Sequence, residues 1–148
     1  MSIVQRLFSV EAANALVPLL KKTFASVRAK RDEMRTHVEV LQSLGLNFSD
    51  EDSIQGEDQD PEVSGRLARC SELHESIHKS LENLIELGVE VKGLDGLVDV
   101  RSRVDGRVVY LCWKHGEDRF SHWHELEGGL AGRTLITDPD AFEGTLLN

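Results

Sequence analysis

Only two cysteines, Cys70 and Cys112, occur in the 148 residues, and they share no spacing motif. That excludes a disulfide framework and a cysteine-based zinc finger; isolated cysteines of this kind are usually reduced thiols inside a cell. No apolar run approaches the roughly 18 residues that a membrane span requires. The opening Met1-Ser-Ile-Val-Gln-Arg-Leu-Phe-Ser9 has too short an apolar run for a secretory signal. A cytoplasmic protein is therefore expected. Basic residues are few beside acidic ones, 17 against 26, for a formal net charge of -9. This balance repels nucleic-acid phosphates and anionic lipid surfaces, which argues against either as a partner. Lys21, Lys22, Arg28, Lys30, Arg31 and Arg35 do gather on one predicted helix. A solvated face turned toward acidic residues of the next helix accounts for them.

Aromatic residues make up only 5% of the chain, so their placement is informative. Both tryptophans, the one tyrosine, Cys112 and half of the histidines fall between Tyr110 and Arg133. Everything before this stretch reads as helical scaffold, and the stretch itself as the place for binding or chemistry.

In chain order, Ser9 is an N-cap candidate with Glu11 in the first turn, where a helix start favours negative charge. Leu16, Leu20, Phe24, Val27, Met34, Val38 and Leu41 then recur at helical spacing, with Gly45 as the stop. Pro18 inside this pattern predicts a kink or short break one turn before it. Residues 47–61 are acidic, polar and nearly free of apolar groups, which predicts a flexible loop. The ligand pattern of a calcium loop is not met there. Val63, Leu67, Cys70, Leu73, Ile77, Leu81 and Leu84 mark a second long helix, stopped by Gly88. Two long helices with a loop between them predict an antiparallel hairpin. Its apolar faces need cover, from the C-terminal half or from a second copy of the chain.

After Gly88 the period becomes strand-like. Val89–Lys92 and Leu97–Val100 alternate around the turn Gly93-Leu-Asp-Gly96. Asp105-Gly106 marks a tight hairpin, because these two residues tolerate the positive backbone angles such turns need. Val108–Trp113 is apolar on both faces, which makes it the central strand. Phe120–Glu127 should pair with it after the turn 114–118. The remainder reads as loop, fraying after Phe142.

Several side chains in this plan could do chemistry. His74 and His78 lie one turn apart on the second helix, a spacing that suits a shared metal ion and equally suits two surface histidines. His122 and His124 point to one face of the last strand, about 7 Å apart. Glu117 and Glu127 could add oxygen ligands or a base. Four imidazoles would converge if that strand packed on the flank carrying His74 and His78. Cys112 could serve as a nucleophile, but its apolar neighbours raise a thiol pKa and favour a structural role. Gly128-Gly-Leu-Ala-Gly-Arg133 could wrap an anion with Arg133 as counter-charge, or be a loop that needs positive backbone angles. It lacks the lysine and the strand-to-helix setting of a nucleotide fingerprint. Trp113 and Trp123 read as core residues whose indole N–H groups reach the surface.

Several of these pieces form a recognisable pattern. They are Phe8-Ser-Val-Glu-Ala-Ala-Asn-Ala-Leu-Val-Pro18, Gly88-Val-Glu-Val-Lys92, Gly96-Leu-Val-Asp99, Gly106-Arg-Val-Val-Tyr-Leu-Cys-Trp-Lys-His-Gly-Glu117, Trp123-His-Glu125 and Gly129-Leu-Ala-Gly-Arg133. Through nearly its whole length the chain resembles domain-of-unknown-function family 2203, found in bacterial proteins. The resemblance implies a helical hairpin with a small β segment, and it implies no activity. The polar positions it matches are Asn14, Asp99, Arg107, Cys112, Glu117, His124, Glu127 and Arg133. Leu130 departs from a usually aromatic position, and Ala12 from one where a glutamate is common. His74, His78, His115 and His122 lie outside the pattern. A site on His124 with Glu117 and Glu127 is therefore the better family-wide expectation.

Together these readings predict one α+β domain over residues 1–148. A long antiparallel helical hairpin (9–88, with the acidic loop 47–61) carries a small antiparallel sheet (89–136) and a tail (137–148), and dimerises through its helices. The leading functional expectation is a metal- or small-ligand-binding domain centred on the Trp-His-Glu segment. Its candidate metal ligands are His124, His122, Glu127, Glu117, His74 and His78, for zinc, iron, nickel or manganese. Arg133, Cys112, Trp123 and Arg107 are the candidate ligand-binding residues. The rival expectation is a non-catalytic interaction module in which Arg133 pairs with Glu117 or Glu127 in a buried network. A metal-dependent hydrolase, with Glu117 or Glu127 as base, is the third.

Overall fold

The computed structural model describes residues 6–46 and 60–145. Nearly all of the acidic stretch 47–61, and with it the expected flexible loop and its calcium alternative, lies outside the described residues. The fold is α+β, as the patterning predicts, and divides into two compact units. One is Met1–Ala25 with Leu81–Asn148, the other Ser26–Ser80.

Helix ends follow the punctuation of the sequence. Ser9 caps α1 (Val10–Ala15), its Oγ accepting from the Ala12 N–H at 3.0 Å. The break expected before Pro18 falls at Leu16, closer than one turn. Helix α2 (Val17–Ser43) then starts afresh with Pro18 in its first turn. There the missing N–H has no intrahelical bond to lose. Gly45 ends this helix at φ +93°, with Gly45 N–H on the Gln42 carbonyl and Leu46 N–H on that of Leu41. This 6→1 and 5→2 pair satisfies carbonyls that the helix end would leave bare. Helix α3 (Pro61–Glu86) closes in the same way through Gly88 and Val89. No described helix is long and apolar enough to cross a membrane.

In the unit Ser26–Ser80 the helices run antiparallel. Lys30 Nζ donates to Ser76 Oγ at 2.6 Å, Arg69 grips both Glu33 oxygens at 2.7 and 3.1 Å, and Arg66 Nη1 meets His37 Nδ1 at 3.0 Å. Val27, Leu41, Val63, Leu73 and Ile77 form the buried seam. In this pair a basic residue of α3 meets an acid of α2. Hydrogen bonds from Arg69, then from His37, lower the Glu33 carboxyl from its ordinary 4.5 to about 2. A depressed carboxyl stabilises the fold fully above its ordinary value and loses that contribution as pH falls through the folded one. Arg69→Ala should move Glu33 most of the way back toward the ordinary range in a carboxyl-carbon NMR titration, with His37 still holding it somewhat low. The stability deficit of that variant should shrink between pH 5 and pH 2.

The other unit holds a five-stranded antiparallel sheet in sequential order β1-β2-β3-β4-β5. The strands are β1 (Glu90–Gly93), β2 (Leu97–Val104), β3 (Arg107–Lys114), β4 (His122–His124) and β5 (Thr134–Leu135). Asp105 and Gly106, at φ +50° and +77°, make the two-residue turn between β2 and β3. Residues alternate between the two faces of a strand. One face carries Val98, Val100, Val109, Leu111 and Trp113, all fully buried in a cluster with Phe8, Ala13, Leu20, Phe24 and Leu84. The other carries Glu90, Asp99, Arg101, Tyr110, Cys112, His122 and His124. The expectation that β3 is central holds, and it is buried on both faces.

Three expectations for the C-terminal part are corrected. The last long strand, expected over Phe120–Glu127, is only His122–His124, because Phe120 N–H is taken by Asn14 Oδ1 at 2.7 Å and the chain turns at Glu125. The expected loop after Gly128 contains a 3-10 turn, Leu130–Gly132, and strand β5. Residues 143–145 do not fray. Glu143 exchanges backbone hydrogen bonds with Arg103 at 2.7 and 3.1 Å, and Thr145 N–H reaches the Leu7 carbonyl at 2.8 Å. Gly144 passes so close to Ser9 that a Cβ there would lie 2.4 Å from the Ser9 nitrogen.

Candidate metal centre

The Asp-Gly turn sets the register of the polar face. From the pair Val104↔Arg107, five steps back along β2 and five forward along β3 place Asp99 opposite Cys112. On the far side of β3, Cys112 faces His122, and Tyr110 faces His124. Asp99, Cys112 and His124 thus come from three adjacent strands onto one face. Each offers one ligand atom, and these atoms all lie within 4.8 Å of one another. Ligand bonds of about 2.0–2.3 Å put tetrahedral donor atoms roughly 3.3–3.8 Å apart. A cation would need only a small inward rotation of these side chains. The three residues could hold a metal ion.

All three are buried, with the side chains of His124 and Asp99 3% and 5% exposed. The hydrogen bonds of His124 decide its chemistry. Its Nδ1 lies 2.7 Å from the Glu125 carbonyl oxygen. A carbonyl only accepts, so Nδ1 carries the proton. In a neutral ring Nε2 is then a bare lone pair, and it sits 3.1 Å from Asp99 Oδ1. Lone pair and carboxylate repel unless a proton or a cation lies between them. A metal-binding imidazole is oriented by this same kind of Nδ1–H···O=C bond. The Cys112 thiol is pushed up to about 12, by burial first and by the neighbouring Asp99 next, while Arg133 acts the other way. Without a cation it is a neutral thiol, which fits poorly with the nucleophile reading.

Two polar clusters flank this group. On one side Tyr110 Oη donates to Glu90 at 2.8 Å, Arg101 Nε to the same carboxylate at 2.9 Å and Lys92 Nζ at 3.3 Å. Burial favours the neutral Glu90, but the hydrogen bonds from Arg101, Tyr110 and Lys92 together outweigh it and keep its pKa below normal. Burial and Glu90 push the Tyr110 hydroxyl up. On the other side Arg133 Nη2 donates to Glu117 Oε1 at 2.9 Å, and the Lys114 N–H donates to the same oxygen at 2.8 Å. A cavity of about 230 Å³ opens over Asp99, Cys112 and His124. Lys92, Tyr110, Leu126, Glu127 and Leu130 are among its walls.

Of the residues singled out in the sequence, His124 and Cys112 are in this group, and Glu127 lines the cavity from an exposed position. His122 has its Nδ1 3.8 Å from Glu117 Oε2 and 3.0 Å from Ser121 Oγ. Arg133 and Glu117 pair with each other. Trp123 lies on the opposite face against Phe142, and Arg107 forms a forked pair with exposed Glu125. His74 and His78 are exposed on α3 within the unit Ser26–Ser80. Asp99 was not among the expected ligands. Its signal was available: a lone carboxylate inside Leu97-Val-Asp-Val100, and a turn that fixes its partner. Trp113 also departs from expectation, since its indole N–H donates to the Glu117 carbonyl at 2.9 Å instead of reaching the surface.

A family model described as an uncharacterized conserved protein (DUF2203) matches residues 6–136. No curated protein and no solved structure matches the chain.

Proposed function

Because the chain belongs to the DUF2203 family, whose description carries no activity, we propose its function from the site itself: Asp99, Cys112 and His124 hold one divalent transition-metal ion. The observation that carries this reading is the orientation of His124. Its Nδ1–H is committed to the Glu125 carbonyl, which aims Nε2 at a carboxylate 3.1 Å away, an arrangement that calls for a proton or a cation between them. Nε2 and the Asp99 carboxylate would both ligate a cation there, with the Cys112 sulfur as the third ligand. Thiolate with imidazole and carboxylate suits zinc, iron or nickel better than manganese. Three protein ligands beneath a cavity leave a coordination position for water or a bound molecule, the pattern of catalytic rather than structural zinc. Water in that position would be acidified by the ion, and Glu127 on the wall could accept a proton from it. Metal-assisted hydrolysis is the reaction class this arrangement supports best.

Elemental mass spectrometry on the full chain, purified without chelator, tests the metal. About one equivalent is expected for a three-ligand site, falling below a tenth in Cys112→Ala and in His124→Ala. Reconstitution with cobalt should give a thiolate-to-cobalt absorption that Cys112→Ala lacks. Metal retained at full content by both variants would sink the proposal.

A further inference from the structure

We propose that the cavity over Asp99, Cys112 and His124 binds a small monocarboxylate with a short apolar tail, one carboxylate oxygen on the metal and the charge facing Lys92. This inference rests on the metal reading above.

Charge selects the ligand. Asp99 and a bound Cys112 thiolate together neutralise a divalent ion, and His124 adds nothing. Beside them Glu90 is shared by Lys92 and Arg101, two cations on one carboxylate, while the Tyr110 hydroxyl that completes this cluster is neutral. With Glu127 at the outer wall left aside, the surplus is one positive charge. Among the described residues that line the cavity, Lys92 is the one cation. Its Nζ lies 5.0 Å from the centroid of the Tyr110 ring, and that ring lies 5.3 Å from the ring of His124. Lys92 thus lines the cavity beside the Tyr110 ring, and its side chain is 40% exposed while its Nζ keeps Glu90 as a partner at 3.3 Å. A charge in a concave site with apolar walls attracts an opposite ion more strongly than it would on an open surface.

Size and walls narrow the class. A cavity of about 230 Å³ is small beside the roughly 300–1,000 Å³ of ordinary ligand pockets. Leu97, Leu126 and Leu130 are the apolar side chains in its lining. Phosphate, largely a dianion at neutral pH, is held best by arginine forks or by several cations together, whereas Lys92 is the one cation among the described lining residues. A planar monoanion with a short hydrocarbon tail fits both the charge and the walls. Glu127, the remaining carboxylate at the wall, opposes it and keeps the affinity modest.

The test uses the full chain loaded with cobalt, titrated with acetate, with butyrate and with acetamide, the uncharged counterpart of acetate. Acetate should shift the visible cobalt spectrum saturably. Butyrate should bind several-fold tighter, because each buried methylene contributes. Acetamide should leave the spectrum unchanged over the same range. With full cobalt loading verified in the same samples, Lys92→Gln should weaken acetate about tenfold, the loss of one partly exposed charge contact, and Glu127→Gln should tighten it. Equal responses to acetate and acetamide, or an unchanged acetate affinity in Lys92→Gln, would overturn the inference while the metal reading stands. A protein that takes up no cobalt overturns both.

Discussion

Asp99→Asn should abolish metal binding and yet leave the metal-free protein as stable as the wild type, or more so. The two halves of this result have different causes. An amide cannot supply the negative charge that a divalent ion needs from this position. Affinity should fall by well over the roughly 10–100-fold that outer-sphere changes cost. In the metal-free protein the amide solves a problem that the carboxylate creates. His124 keeps its proton on Nδ1 for the Glu125 carbonyl, and its Nε2 faces residue 99 at 3.1 Å. Turned that way, an asparagine N–H donates to Nε2, and repulsion becomes a neutral hydrogen bond worth about 0.5–1.5 kcal/mol. The rival view makes Asp99 and His124 a permanent buried ion pair whose role is to fasten strands. Removing one member would then strand an imidazolium in a site 3% exposed, and breaking such a pair costs about 3–5 kcal/mol. The readings differ in sign. Urea denaturation of both proteins in chelator, at neutral pH, separates them. A loss of 3 kcal/mol or more would favour a structural network over a metal site.

How far the site could be read ahead of the structure depends on which forces place each residue. Local chemistry was legible. Ser9, Gly45 and Gly88 mark helix ends because a cap or a left-handed residue is needed there whatever the tertiary context. Asp105-Gly106 specifies a two-residue turn, and the turn specifies the whole β2–β3 register, including Asp99 opposite Cys112. What local chemistry cannot supply is the match between chain segments far apart in sequence. Strand β5 is two residues long and forms because Thr134 and Leu135 meet an open edge of β4, a partner that their own pattern does not announce. Residues 143–145 are held by Arg103 and Leu7, which are distant in sequence. The histidines show the same division. His122 and His124 share a face by strand alternation, as their spacing requires. Which of them meets Asp99 depends on that residue lying beyond Tyr110 and Cys112, two strands away. The pair His74 and His78 had the right spacing, but among the described residues the group whose ligand atoms converge is Asp99, Cys112 and His124.

Trp113→Ala should cost about 3–5 kcal/mol, as expected for a large core aromatic cut to a methyl group. Trp113 is fully buried, lies on the apolar face of β3, and packs with Phe24 and His115 at ring distances of 6.3 and 5.9 Å. Trp113→Phe isolates a second contribution. Phenylalanine keeps most of the packing but loses the indole N–H that donates to the Glu117 carbonyl at 2.9 Å. Its cost should be roughly 1–3 kcal/mol, the sum of a smaller ring and an unmade hydrogen bond. The phenylalanine variant also connects the core to the site. The indole anchors the turn 114–117, and the turn holds Glu117 where its carboxylate takes both Lys114 N–H and Arg133. Arg133 in turn favours the ionised form of the Cys112 thiol. Loosening the turn should therefore weaken metal binding several-fold in Trp113→Phe even at temperatures where the variant is fully folded. Glu117→Gln, which leaves the core untouched, should weaken it less, because the carboxylate it removes also pushes the Cys112 thiol up. Urea denaturation together with metal titration of the two variants checks this. If Trp113→Phe lost stability but bound metal like the wild type, the turn would serve the core alone, and Arg133 would owe its position to the strand end rather than to Glu117.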